Sequence, residues 1–250
     1  MPYAGGAASI YRSWPNAFPS DIDVCAVELP GRGTRLNEKP YTSISLLVDA
    51  LCRAILPFLD RPFALFGHSM GALLAFETAR LMGRVYQITP SHLFISGHSA
   101  PQFPMRYPAH DMAEKELIEL LKNLSGTPPE IFQNRELMDL MLPILRADFA
   151  LCESYKYLED RPLECPISVF AGLNDEETPR AHLEGWREHT TGPFNLRMLP
   201  GGHFFIHGSQ KQIMECVMRE IFDSGLQTVG KGSLSCRREV RPRSLVGGRD

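Results

Sequence analysis

The sequence has no run of about 18 apolar residues long enough to span a bilayer, and no basic segment followed by an apolar run near its start. Both absences lead us to expect a cytoplasmic protein that neither crosses nor binds a membrane. It also has little net charge: −3 over 250 residues. That lacks the basic footprint of a nucleic-acid binder. No C-x-x-C pair is present. The six cysteines, Cys25, Cys52, Cys152, Cys165, Cys216 and Cys236, are scattered and mostly set among apolar residues. Reduced buried thiols are expected, not a disulfide framework.

What the chain does contain is ordinary globular material, 44% hydrophobic and 22% charged. That is enough for one α/β domain, expected over residues 1–223. The charge is uneven. Residues 224–250 carry six Lys or Arg against two acidic residues, a balance of +4 that leaves −7 for the rest. With few apolar positions, that stretch reads as a disordered basic tail.

Short apolar runs at 24–29, 63–66, 93–96, 167–171 and 195–199 read as strands. Between them lie helical stripes. Residues 43–56 carry Ile44, Leu47, Val48, Leu51 and Ile55, closed by Pro57, and an apolar, small-residue helix is expected from Met70 to Leu81. A last helix begins near Ser209, where Ser209 and Gln212 have capping-box spacing. Strands alternating with helices predict a mostly parallel central sheet covered on both faces. Residues 101–162 break the alternation. They read as helical throughout, with breaks at Pro128-Pro129 and Pro143 and a cap at Asp111 with Glu114. We expect an inserted helical lid over the site.

Gly67-His68-Ser69-Met70-Gly71 sits between the strand at 63–66 and the helix that follows. A G-x-S-x-G segment in strand–turn–helix context is the layout of a nucleophile elbow. The turn is tight enough that residues two positions either side of the serine must be small. The serine hydroxyl then stands above the sheet edge, and the next amide, that of Met70, points toward any oxyanion formed there.

A serine nucleophile needs a base, and the base an orienting carboxylate. Among eight histidines, His203 follows a strand on the glycine turn Pro200-Gly201-Gly202 and precedes the last helix; His207 is its rival. His68 is adjacent to the serine but turned from the elbow, and His92, His98, His110, His182 and His189 lack such a setting. Asp175 follows the 167–171 strand through Gly172-Leu173-Asn174, which places it at the same sheet edge. Glu176 and Glu177 are the alternatives. A glycine pair near the start, Gly5-Gly6, can supply a second oxyanion amide.

These residues lead to a family resemblance. Pro2-Tyr3-Ala4-Gly5-Gly6 with Tyr11-Arg12-Ser13-Trp14 resembles the opening of type II thioesterases, the free-standing editing hydrolases of nonribosomal peptide and polyketide synthases. Leu29-Pro30-Gly31-Arg32-Gly33, the Ser69 motif, Leu124-Ser125-Gly126-Thr127-Pro128, Leu142-Pro143 through Ala147-Asp148, and Gly201-Gly202-His203-Phe204 are similar to it in order across residues 2–223. The resemblance implies an α/β-hydrolase fold with Ser69 as nucleophile, Asp175 as acid, His203 as base, and the amides of Met70 and Ala4 as oxyanion donors. It implies a monomer that needs no cofactor or metal of its own and acts on acyl groups held on the phosphopantetheine of a partner carrier protein. Medium-chain acyl-carrier thioesterases of fatty-acid synthesis share the pattern. A general carboxylesterase and an inactive carrier-binding protein are the remaining alternatives. The pattern also includes a strand ahead of Pro2, which is not in this sequence, and has nothing like the residues after Ser224.

Overall fold

A computed structural model of the chain describes residues 1–103, 109–124, 126 and 129–223. The expected tail at 224–250 and the Pro128 break lie outside them. Four parallel strands form one sheet in sequential order: β1 (Ala64–His68), β2 (His92–Ser96), β3 (Ile167–Gly172) and β4 (Phe194–Leu199). Registers run Ala64 to His92, Leu93 to Ile167 and Ile167 to Phe194 at the strand starts. Parallel neighbours require crossovers. One crossover helix is α2 (Met70–Leu81), packed beside α1 (Ile44–Ile55). The others carry α3 (Glu114–Leu124), α4 (Pro129–Gln133) and α5 (Arg135–Glu153) between β2 and β3, and α6 (Arg180–Glu184) between β3 and β4. After β4 come α7 (Phe205–Gly208) and α8 (Gln210–Asp223).

Side chains alternate across each strand, and the two resulting faces bury separate cores. Leu65, Leu93, Ile95, Val169 and Ala171 pack with α1 and α2. Phe94 and Phe170 pack on the other side with Ile213 and Val217 of α8 and with Tyr11 and Trp14. Helix α1 forms because Ile44, Leu47, Val48 and Leu51 recur at three- and four-residue spacing and are all buried. Helix α2 is buried nearly all round, Met70 through Phe76 being inaccessible. The helices between β2 and β3 own a third cluster, with Leu117 and Leu121 against Met138, Leu142, Leu145 and Phe149. Among the described residues, no helix is long and apolar enough to cross a membrane. No disulfide forms among the described cysteines.

Four local expectations are corrected. Residues 24–29 are not a strand, and Cys25 and Ala26 are exposed. The neighbouring edge of β1 is occupied by Met1, whose amino group donates to the Phe66 carbonyl at 2.6 Å and whose carbonyl accepts from the His68 amide at 3.3 Å. The 24–29 segment bonds to loops instead, the Glu28 carbonyl accepting from Arg35 at 3.0 Å. Pro143 does not break its helix: α5 runs through it. The ring removes the hydrogen bond to the Asp139 carbonyl, but Pro143 and Asp139 are both exposed, so the loss falls on the solvent side of the helix. The insertion is not helical throughout, since α5 ends at Glu153 and residues 155–162 are extended or irregular. The two expected caps are also absent. The Ser209 hydroxyl donates to the Pro200 carbonyl at 3.2 Å, while Asp111 pairs with His110 at 3.0 Å and Glu116 reaches back to the Ala113 amide at 3.2 Å.

Candidate active site

Ser69 follows β1 directly and occupies φ 53°, ψ −120°, a region a non-glycine residue enters only when its surroundings force it. The forcing is visible in its flanking glycines. A Cβ on Gly67 would lie 1.9 Å from the Gly71 carbonyl oxygen, and one on Gly71 would lie 2.2 Å from that of Met1. The Ser69 amide donates to the Ser96 carbonyl at the end of β2, at 2.7 Å. Met70 is the first residue of α2, so its N–H has no carbonyl one turn back to bond. It adds to the positive end of the helix dipole beside the serine.

Asp175 lies three residues beyond β3 and His203 four beyond β4. All three groups therefore emerge at the carboxyl ends of parallel strands, where open α/β sheets place their sites. His203 Nε2 is 3.0 Å from Ser69 Oγ. His203 Nδ1 is 2.9 Å from Asp175 Oδ2. The structure thus brings together the three residues read from the sequence.

Asp175 is held as an ion. Burial pushes its carboxyl upward, but hydrogen bonds from His203, from the Thr178 hydroxyl at 2.8 Å and from the Glu177 amide at 3.0 Å together hold it below the ordinary carboxylate range. Glu177 contributes its backbone, and it is Asp175 that faces the imidazole. Rival His207 is bonded through Nε2 to the Tyr3 hydroxyl at 3.0 Å. His68 takes no part in the row but packs against it, with ring centroids 5.6 Å apart from those of His203. Its Nδ1 is 2.8 Å from Ser96 Oγ. Burial first, then the imidazoles of His203 and His207, hold it well below its ordinary pKa, so it remains neutral.

Tyr3, Ala4, Gly5 and Gly6 form a tight turn closed by the Gly6 amide on the Tyr3 carbonyl at 2.9 Å. Gly5 has φ 74°, as the third position of a type II turn requires. The Ala4 amide is not consumed by that bond. Tyr3 is stacked edge-on against Phe204, the neighbour of His203, at 4.8 Å, so the turn sits beside the base.

A cavity of about 840 Å³ lies between α2 and the end of α5, lined by Leu73, His98, Phe103, Cys152, Tyr155 and Tyr157 among others. Leu73 is one helical turn beyond Ser69. His98, given no setting from the sequence, is half-buried, and desolvation drives its pKa down to about 4, leaving a neutral ring on the cavity wall. Tyr155 is fixed by donation to Glu77 of α2 at 2.7 Å. No group of three or more His, Cys, Asp or Glu among the described residues is placed to hold a metal. Sequence reasoning missed the support shell of Thr178, Ser96 and Tyr3. Only Tyr3 lay in a recognisable motif; the others are brought in by the strand ends.

Comparisons with known proteins bear on the family of the chain. The family model described as Thioesterase domain matches residues 1–224. The chain is 46% identical over 219 residues to a Brevibacillus parabrevis protein named linear gramicidin dehydrogenase LgrE, covering 86% of this chain and 83% of the relative. It is 42% identical over 222 residues to the gramicidin S biosynthesis protein GrsT of Aneurinibacillus migulanus, covering 88% and 87%. Among solved structures it is similar to YbtT, a type II thioesterase from the yersiniabactin NRPS/PKS biosynthetic pathway, with TM-score 0.76, 33% identity and coverage of 89% and 91%.

Proposed function

Given that the chain belongs to the thioesterase domain family, we propose that it hydrolyses acyl thioesters on the phosphopantetheine arm of carrier-protein domains. Its task in this reading is to clear aberrant or stalled acyl groups from a nonribosomal peptide or polyketide synthase. The observation that carries the reading is the row from Ser69 Oγ through both nitrogens of His203 to Asp175 Oδ2, at 3.0 and 2.9 Å. The biosynthetic names of the relatives support the substrate class. One relative carries a dehydrogenase name; the thioester reading rests on the family match and the serine row, not on any one name.

The chemistry follows from the geometry. Ser69 Oγ attacks the thioester carbonyl carbon as its proton passes to His203 Nε2. The Asp175 carboxylate accepts the Nδ1–H throughout and stabilises the imidazolium. The carbonyl oxygen becomes an oxyanion held by the amides of Met70 and Ala4, each such donor being worth about 3 kcal/mol. The carbon–sulfur bond breaks and the sulfur leaves as the carrier thiol, with the proton from His203 Nε2 going to it; it is a good leaving group because thiol pKa values are about 8.5. Neutral again, His203 takes a proton from water as it attacks the acyl-serine, and returns that proton to Ser69 Oγ as the acid is released. The phosphopantetheine belongs to the carrier and enters as part of the substrate.

The test loads a carrier protein with an acetyl-phosphopantetheine arm and follows its intact mass. Loss of the acetyl group with wild type, and no loss beyond background with Ser69→Ala, is the expected result. Turnover retained at the wild-type rate in Ser69→Ala would sink the assignment. Hydrolysis of small free esters in preference to the carrier would favour a general carboxylesterase, and carrier binding without hydrolysis an inactive binding protein.

A further inference from the structure

We infer that Asp148 and Arg32 are positioning residues for the turn that carries the Ala4 amide, so that α5 sets the geometry of the oxyanion site. The inference rests on the catalytic reading above for the role of Ala4, and on separate observations for the coupling.

Asp148 and Arg32 are both almost completely buried, 2% and 4% exposed. They meet in a two-pronged pair, Arg32 Nη1 to Asp148 Oδ2 at 2.6 Å and Nη2 to Oδ1 at 2.8 Å. The same Oδ2 accepts the N–H of Gly5 at 2.7 Å. That peptide unit is the one immediately after Ala4. Arg32 Nη1 also reaches the Gly6 carbonyl at 3.4 Å. One carboxylate and one guanidinium therefore grip two peptides of the turn, with one peptide between them.

A second contact comes from the same face of α5. Leu145, three residues before Asp148, packs so tightly under the turn that its Cδ2 would lie 2.7 Å from a Cβ on Gly5. Residues three apart on a helix share a face, so Leu145 presses the turn from below while Asp148 holds it by hydrogen bond. One turn beyond Asp148, α5 is anchored in the main core by Leu151 and Cys152, so the turn rests on a fixed support.

Stability alone does not account for the pair. Desolvating two charges cancels much of their attraction, and apolar side chains of similar volume commonly serve as well. An apolar pair would leave the Gly5 N–H without its acceptor and the peptide free to tilt. Donor geometry is where small errors are expensive: a displacement of about 1 Å near the reacting atoms can cost about 100-fold in rate.

The experiment uses the full chain and two readouts. One is the rate at which a fluorophosphonate labels Ser69, in which Oγ attacks phosphorus and fluoride leaves, and which needs the oxyanion donors but no carrier. The other is kcat and KM on an acyl-phosphopantetheine thioester, with thermal midpoints recorded for each variant. Asp148→Ala is expected to slow labelling and kcat by roughly 10- to 100-fold with KM within about 2-fold and the shape of the pH profile unchanged, because His203 and Asp175 are untouched. Asp148→Asn, which keeps an acceptor for Gly5, is expected to recover a large part of the rate. If Asp148→Ala does not fold, Asp148→Asn and Arg32→Lys decide by the same criterion. Variants that melt earlier yet label at the wild-type rate overturn the inference, as does a loss confined to KM. Wild type that labels but leaves thioesters intact fails the substrate reading alone, and the labelling rates still decide the role of Asp148. Wild type that does not label overturns both.

Discussion

At the scale of single residues, the elbow depends on atoms that are missing. Gly67 and Gly71 leave no space for a Cβ, one against the Gly71 carbonyl and the other against that of Met1. Gly71→Ala is therefore expected to lower stability by about 3 kcal/mol, read as a reduced urea midpoint, and to slow fluorophosphonate labelling of whatever remains folded. The five-residue motif made this legible because the steric demand is local. The pairing of His203 with Asp175 was legible for a different reason: both follow strands of a parallel sheet, and strand ends share an edge. What could not be read was the supporting shell. Ser96 reaches His68 only once β1 and β2 lie side by side, and Thr178 reaches Asp175 across a three-residue span of irregular loop that no periodicity describes.

At the scale of elements, helices with clear periodicity were read correctly and the exceptions share a cause. Helix α5 spans Pro143 because Pro143 and Asp139 lie on its exposed side, an orientation that depends on which face the third cluster buries. Residues 24–29 are apolar enough for a strand but lack a ladder partner. Helix α8 depends on a tie that periodicity does not reveal. Glu220 is buried against the sheet, bonded to Ser168 of β3, to Arg197 of β4 and, at 3.3 Å, to His92 of β2. Burial pushes its carboxyl upward, but those bonds outweigh it and bring the pKa from 4.5 down to about 2. A folded-state pKa below the unfolded one means stability that is fully present above about pH 4.5 and is lost as the pH falls toward 2, a contribution of about 3 kcal/mol. Glu220→Gln is expected to be less stable at pH 7 and to show a shallower loss across that acid range, measured by urea unfolding at a series of pH values.

At the scale of the whole molecule, the two faces of one sheet bury separate cores, and the thiols report on that partition. Cys25 is exposed while Cys52, Cys152 and Cys165 are buried. Burial raises the Cys52 and Cys165 thiols to about 11, so neither offers a reactive thiolate at neutral pH. Alkylation of the native protein followed by mass mapping is expected to modify Cys25 first and to reach the three buried thiols only after denaturation. Early labelling of Cys52 or Cys165 would show that the face covered by α1 and α2 opens independently. The α/β class was legible from the alternation alone, whereas the tie of α5 to the opening turn through Arg32 and Asp148 was not, because no local pattern relates residues 32 and 148.

The order of the strands has a consequence during synthesis. Ser69 leaves the ribosome with β1, Asp175 follows β3, and His203 follows β4, 134 residues after the serine it serves. A nascent chain that has not completed its last strand holds a nucleophile and an acid with no base between them. In the catalytic reading, activity therefore waits on β4 and the turn that carries His203, and cannot begin while the sheet is still three strands wide.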